Sequence, residues 1–370
     1  MGLMERKNWW IIPLIIVGFG SLYYVLSKFS LHEIVSAFKG ADPIYFVGYI
    51  SVIFCIMMCL AWRWKIILHS QGHRFGFWTL LKYKIVGFGV NFITPGPRVG
   101  GEPVQATLVA RKYNITFERV LSSIVIDKTI ELTTSGLFFA VGVMILIYKF
   151  ALPENLLYLL IILSTLSVVL LIWFIIKMFR GKEFFMPLLR FLRINKLGWV
   201  RRNEHKLVNF EKLIITFYER DRGYFLYAIL ISFLSWFFMY FEYFFVMKFF
   251  GYTLNPLQIF LIFSFVGMAY LFPIPLSLGV LEASQISVFA LLNINQAAAI
   301  GLAMIIRFKD VLWSIAGFII LFFESLSLKE VSVGKVVQER ITEPGLIDEI
   351  DEMEAGDEQT RLSAYWRKHS

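Results

Sequence analysis

"NFITPGPRVGGEPVQ", Asn91 to Gln105, decides how the rest of the chain is read. It sets Pro95, Pro97 and Pro103, Gly96, Gly100 and Gly101, and the charges of Arg98 and Glu102 into apolar surroundings. Prolines and glycines end helices. Within a bilayer such broken backbone is tolerated only where protein or a water-filled cavity shields it.

Working outward, the chain is more apolar than soluble domains are. Of its 370 residues, 58% are hydrophobic and 17% aromatic, and mean hydropathy is +0.68, against roughly 45–50% apolar content in soluble proteins. Crossing a hydrocarbon core takes about 20 mostly apolar helical residues. Trp9–Leu26, Pro43–Trp62, Leu121–Tyr148, Leu156–Ile176, Tyr224–Lys248 and Ala298–Phe323 meet that requirement. The first is expected to be retained, because "LSKFSLHEIVSAFKG" offers no small-x-small cleavage site and further spans follow.

Lysine and arginine mark the cytoplasmic flanks of membrane spans. Arg6 and Lys7 place the N-terminus inside, Lys28–Asp42 falls outside, and Arg63 with Lys65 marks the return. Most of the net charge of +9 lies in Lys177–Arg222. There Phe184, Phe185, Leu188, Leu189, Phe191 and Leu192 mix with Lys182, Arg190 and Arg193, as in a cytoplasmic loop lying on an anionic lipid surface. No nucleic-acid motif accompanies these basic residues. Residues 325–370, with "DEIDEMEAGDEQ", form a polar cytoplasmic tail expected to be partly disordered. Cys55 and Cys59 share a helix face without histidine or further cysteine nearby, and no HExxH or CxxC spacing occurs, so neither metal nor cofactor is expected.

Phe75–Thr94 is long enough to cross, yet only about ten helical residues, roughly 15 Å, separate Glu102 from Lys112. A full crossing would strand Arg111, Lys112 and Arg119 outside, so a re-entrant hairpin with its tip at Pro95–Pro103 is expected. Leu257–Phe272, the break "PIPLSLG" and the short helix Val280–Leu292 repeat the shape from the other side. At an offset of 180 residues, Phe92–Phe138 aligns on Phe272–Phe318 with eight identities in 47 positions, and Pro-x6-Glu-x2-Gln is common to both. The expected architecture is all-α: a polytopic integral membrane protein of two inverted repeats, each holding a re-entrant hairpin. Its transmembrane domain covers residues 1–324, with repeat cores 75–148 and 257–323.

Ionisable residues at membrane depth face a partner or a cavity. "VIDKTIEL" supplies Asp127, Lys128 and Glu131, with Lys128 and Glu131 spaced to pair along a helix. "MIIRFKDVL" supplies Arg307, Lys309 and Asp310, and the offset superposes Asp127 on Arg307. Two arrangements fit: pairing of Asp127 with Arg307 across the repeat axis, or neutralisation within each helix. Glu102 and Glu282 open short helices, where the macrodipole favours a carboxylate; free N–H groups there, with Arg98, would also suit a phosphate headgroup. Gln105 and Gln285 follow one turn on. Glu242 is a lone carboxylate in "YFEYFF".

These residues also carry a resemblance. "TPGPRVGGEPVQATLVARKYNITFERVLSSIVIDKTIEL", Thr94–Leu132, resembles the core of the lysylphosphatidylglycerol synthase transmembrane (flippase-like) family, and "PIPLSLGVLEASQ" is similar to its C-terminal motif. The resemblance extends over about Met4–Phe323. It implies a membrane domain that carries a charged phospholipid across the bilayer, and no aminoacyl transferase is expected here. Arg98 precedes Glu102 where the family arginine follows, Asp127 lacks the arginine before it, and Pro-Leu-Ser-Leu-Gly replaces Pro-Gly-Gly-x-Gly.

The expected function is translocation of a phospholipid or polyprenyl-linked glycolipid in the cell membrane, without catalysis. The expected substrate-binding residues are Arg98, Gly100, Gly101, Glu102, Gln105, Asp127, Lys128, Glu131, Glu282, Gln285, Arg307 and Asp310. Transport of a small soluble anion or ion, and lipid modification by an intramembrane enzyme, are the alternatives.

Overall fold

The computed structural model describes residues 42–94, 100–150, 154–184, 186–187, 204–269, 280–294 and 296–341. The expected span Trp9–Leu26, the tip Pro95–Val99 with Arg98, the second break and residues 342–370 lie outside the described residues. Among the described residues every regular element is an α-helix.

Helix α1 (Pro43–Ser70) starts at Asp42, whose carboxylate accepts the Ile44 N–H at 3.0 Å, with Pro43 at the first helical position. It runs past Trp62, the expected end, and carries Arg63 into the protein. Arg63 is therefore not a flanking charge. Next come α2 (Phe77–Ile93) and α3 (Glu102–Tyr113), of 17 and 12 residues, roughly 25 and 18 Å long. Helices α4 (Phe117–Lys149), α5 (Glu154–Phe179), α6 (Glu204–Arg220) and α7 (Arg222–Phe249) follow, then the short α8 (Pro256–Ala269) and α9 (Val280–Leu291), and the long α10 (Gln296–Ile341). Among the described residues α1, α4, α7 and the Leu157–Phe179 part of α5 are long and apolar enough to cross a bilayer. This is a multi-span membrane protein.

Packing follows small residues and aromatic rings. Gly48 of α1 makes room for the Phe245 ring of α7, 2.8 Å from where a Cβ would stand. Helices α2 and α10 cross at Gly89 and Gly317; a Cβ on Gly317 would lie 2.6 Å from the Ile85 carbonyl oxygen. Close backbone approach of this kind drives helix association in lipid, where the hydrophobic effect does not. Phe138 of α4 stacks on Trp236 of α7 at 4.3 Å and 7°, within a core that also holds Tyr49, Phe263, Phe289 and Leu302. Helix α5 is different: only 6% of its most apolar window is buried, as suits a helix surrounded by lipid.

Within the basic segment, α6 is amphipathic, with Ile214, Phe217 and Tyr218 buried against Ile126, Ile130 and Met178. Glu211 of α6 accepts the N–H groups of Phe184 and Met186 at 2.5 and 3.2 Å, and the Tyr218 hydroxyl meets Thr129 of α4. The apolar face of α6 is thus turned onto protein, whereas most of the residues that carry the lipid-surface expectation, Phe185 and 188–193, lie outside the described residues.

The two 12-residue helices α3 and α9 end alike. Asn114 after α3 and Asn293 after α9 both adopt φ 52°, the left-handed region. In each case the following isoleucine donates its N–H five residues back, Ile115 to Ala110 at 3.0 Å and Ile294 to Phe289 at 2.9 Å. All of this packing belongs to the compact unit that ends at Ile319; from Ile320 a second unit holds the rest of α10, helical to Ile341.

Candidate functional site

The chain leaves α2 at Thr94 and returns at Gly100 directly against it: a Cβ at Gly100 would stand 2.2 Å from Thr94 Oγ1. A Cβ at Gly101 would lie 2.1 Å from the Gly87 carbonyl oxygen, so glycine is required where α3 begins. The Gly101 N–H donates to Asn91 Oδ1 at 2.5 Å, and Asn91 Nδ2 donates to Glu102 Oε1 at 3.0 Å. One asparagine on α2 therefore fixes both the backbone and the carboxylate that open α3.

From Glu102 an ion network runs across the helices. Lys128 Nζ of α4 lies 3.6 Å from Glu102 Oε1 and 3.4 Å from Glu131 Oε2, the latter being the pairing expected along the helix. Asp127 has both oxygens taken: Arg63 Nε of α1 donates to Oδ1 at 2.5 Å and Lys84 Nζ of α2 to Oδ2 at 2.6 Å. Arg63 also reaches Glu131 Oε2 at 3.2 Å and the Ser232 hydroxyl of α7 at 2.8 Å. Lys84 Nζ sits 5.3 Å from the Trp64 ring centre, and Trp64 Nε1 donates to Ser123 at 3.0 Å. Three cations thus face three carboxylates, Arg63, Lys84 and Lys128 against Glu102, Asp127 and Glu131.

Exposure divides the network. The side chains of Arg63, Asp127 and Lys84 are 2%, 0% and 9% exposed, whereas Lys128 and Glu131 reach 30% and 38%. Glu102, at 9%, belongs with the buried group, and Lys128 and Glu131 form the more open edge of the network. Burying ion pairs is a poor way to gain stability, since desolvation offsets the attraction. A buried six-charge network is therefore not explained by stability alone.

The cross-axis pairing of Asp127 with Arg307 is replaced by partners on α1 and α2. Neutralisation within a single helix does not describe Asp127 either, though it holds for Lys128 and Glu131. Arg307 and Asp310 are buried on α10, each 2% exposed, and Lys309 contacts Glu242 of α7, which supplies the lone carboxylate with a partner. Gln105 is buried beside Gly87, and Gln285 is fully buried on α9. Gln105 Oε1, Glu102 Oε2 and both polar atoms of Gln285 have no hydrogen-bond partner among the described residues. Arg98 and the Glu282 side chain lie outside them.

Sequence alone does not point to Arg63, Asn91 or Ser232. Lys84 does carry a signal: it interrupts the apolar run "YKIVGFGV" as Asp127 interrupts its own.

The chain matches the family described as the lysylphosphatidylglycerol synthase TM region over residues 10–317. A UPF0104 membrane protein of Pyrococcus horikoshii is 24% identical over 311 residues, covering 80% of this chain and 91% of that protein. Those of Methanothermobacter thermautotrophicus and Methanocaldococcus jannaschii are 28% and 25% identical over 128 and 130 residues, 35% of this chain and 38% of each relative. These last two matches therefore span well under half of the relatives' length. The matched region contains every charge of the network, from Arg63 to Glu131, and the chain belongs to the family of the lysylphosphatidylglycerol synthase TM region.

Proposed function

We propose that this protein carries a charged lipid, a phospholipid or polyprenyl-linked glycolipid, across the cell membrane by alternating exposure of the ion network. The observation that carries this reading is the division of the network into a buried group and a more open edge. Lys128 is the cation through which a phosphate enters, exchanging its contacts with Glu102 and Glu131 for the headgroup. Glu102 and Glu131 then receive the hydroxyl groups of the same headgroup. The step moves a molecule and makes no bond, so the reading is of a carrier and not an enzyme.

Alternation needs two halves of opposite orientation. The pairs α2–α3 and α8–α9 are read as re-entrant hairpins of inverted repeats. The shared Pro-x6-Glu-x2-Gln pattern, the equal length of α3 and α9 at 12 residues, and their matching left-handed asparagine ends support this. Arg98, Glu282, Arg307 and Asp310 are assigned to the same pathway on the strength of the repeat. On the lysine and arginine distribution the N-terminus, the 177–222 segment and the tail are assigned to the cytoplasmic side, and the basic segment to an anionic lipid surface.

The test is movement of fluorescent phospholipid in liposomes holding the purified chain, read with an impermeant quencher. Wild type is expected to move lipid, and Lys128→Ala to slow it roughly tenfold or more, the effect of removing one charge-assisted hydrogen bond. Wild-type protein that moves no lipid while admitting a small anion would overturn the lipid reading.

A further inference from the structure

Helix α3 carries two buried acceptors for which the described residues supply no donor. Glu102 Oε1 is occupied by Asn91 and Lys128, but Oε2 is closed off and has no hydrogen-bond partner among the described residues. Gln105 Oε1, one turn along the same helix, is in the same condition. The two residues are 7% and 3% exposed, so bulk water does not satisfy them. The wall beside them adds a further acceptor, the Gly87 carbonyl of α2, against which Gly101 packs.

Asn91 and the three nearby cations are committed. Asn91 bonds Glu102 Oε1, Lys84 of α2 bonds Asp127, and Lys128 of α4 lies between Glu102 and Glu131. Arg63 of α1 is divided among Asp127, Glu131 and Ser232. With Asp127 and Glu131 these are the charged groups that the packed helices bring to the network. Buried oxygens on neighbouring turns with no hydrogen to share are unfavourable. What these two oxygens lack is a hydrogen or a positive charge.

We propose that the α2–α3 pocket binds one monovalent cation, a proton or Na⁺, between Glu102 Oε2 and Gln105 Oε1, and that this is the coupling ion of transport. A proton on Glu102 Oε2 would be donated toward Gln105 Oε1; Na⁺ would take the two oxygens as ligands. The charge balance favours the coupling. Three cations against three carboxylates make the empty network neutral. A bound cation leaves it with one positive charge and an anionic headgroup alone leaves it with one negative charge, whereas both together restore neutrality. Cation occupancy also weakens the hold of Glu102 on Lys128, freeing Lys128 for phosphate. The coupling rests on the lipid reading above; the binding does not.

The experiment uses the full purified chain in nanodiscs of neutral lipid. Thermal unfolding is followed in choline chloride as pH is lowered, and at fixed alkaline pH as NaCl replaces choline at constant ionic strength. A ligand of the folded state raises the midpoint. Wild type is expected to respond to acid if the ion is a proton and to Na⁺ if it is sodium. Glu102→Gln should abolish that response, and Gln105→Leu, which takes away one of the two liganding oxygens, should weaken the apparent affinity roughly tenfold. An infrared band of a protonated carboxyl group that disappears in Glu102→Gln identifies the proton. No response of wild type to either ion, or an unchanged response in Glu102→Gln, overturns the site. Should Glu102→Gln fail to fold, the wild-type titrations and Gln105→Leu decide. Cation binding without lipid movement would sink the lipid reading alone. Lipid movement by wild type that ignores both pH and Na⁺ would sink the coupling alone.

Discussion

Asp127 is the residue on which the network turns, because it neutralises two buried cations from two other helices. Asp127→Asn keeps the shape and removes the charge, leaving Lys84 facing an amide and Arg63 dependent on Glu131. Breaking a buried pair from one side costs about 3–5 kcal/mol, so a fall of at least about 5 °C in the unfolding midpoint is expected in detergent. An unchanged midpoint would show that the cations do not need Asp127. The search for charge at membrane depth finds Asp127, Lys128, Glu131 and Glu102 in the sequence, but it passes over their partners. Arg63 follows the apolar run of α1 and so looks like an ordinary cytoplasmic flank; only the fold shows it buried. The superposition of Asp127 on Arg307 misleads for a different reason. Repeat-related residues occupy like places in two halves, and nothing in that relation requires them to touch.

At the scale of the element, the packing of α3 on α2 depends on close backbone approach. The Gly101 position faces the Gly87 carbonyl, which belongs to a helix and cannot move aside as a side chain end can. Gly101→Ala is therefore expected to cost about 1–3 kcal/mol or more through overpacking and to lower the yield of monodisperse protein. Gly223→Ala, with nothing within 4 Å of its Cβ, should be tolerated. Equal behaviour of the two variants in size-exclusion and melting measurements would show that α3 does not lie on α2 in this way. The helices themselves are readable, since long apolar runs and Pro/Gly breaks mark them. The end of α1 is not, because "RWKIILHS" is polar enough to resemble a loop while its buried face is stabilised by distant partners. The shared cap escapes the sequence for a simpler cause. "NI" at Asn114 and "NI" at Asn293 fall 179 residues apart, one short of the offset that aligns the glutamates, so an ungapped comparison steps over them.

For the whole molecule the question is orientation, which helices and contacts leave open and labelling can decide. If the two hairpins enter from opposite sides, the ends of α3 and α9 open to opposite faces of the membrane. Asn114 and Asn293 are both exposed, and both stand where a left-handed residue closes a short helix. The native thiols Cys55 and Cys59 must first be removed; Cys55→Ala with Cys59→Ser gives a background without cysteine. Asn114→Cys and Asn293→Cys are then introduced singly. Leaving the left-handed conformation to a non-asparagine residue costs about 1 kcal/mol, small enough for the fold to survive. An impermeant maleimide applied to intact cells is expected to label the variant at 293 and to reach the variant at 114 only after the membrane is opened. Labelling of both from one side would show that the two hairpins share an orientation. In that case the pathway through Glu102 and Lys128 would have no counterpart opening on the other face, and the inverted halves would have to be given up together with alternating exposure.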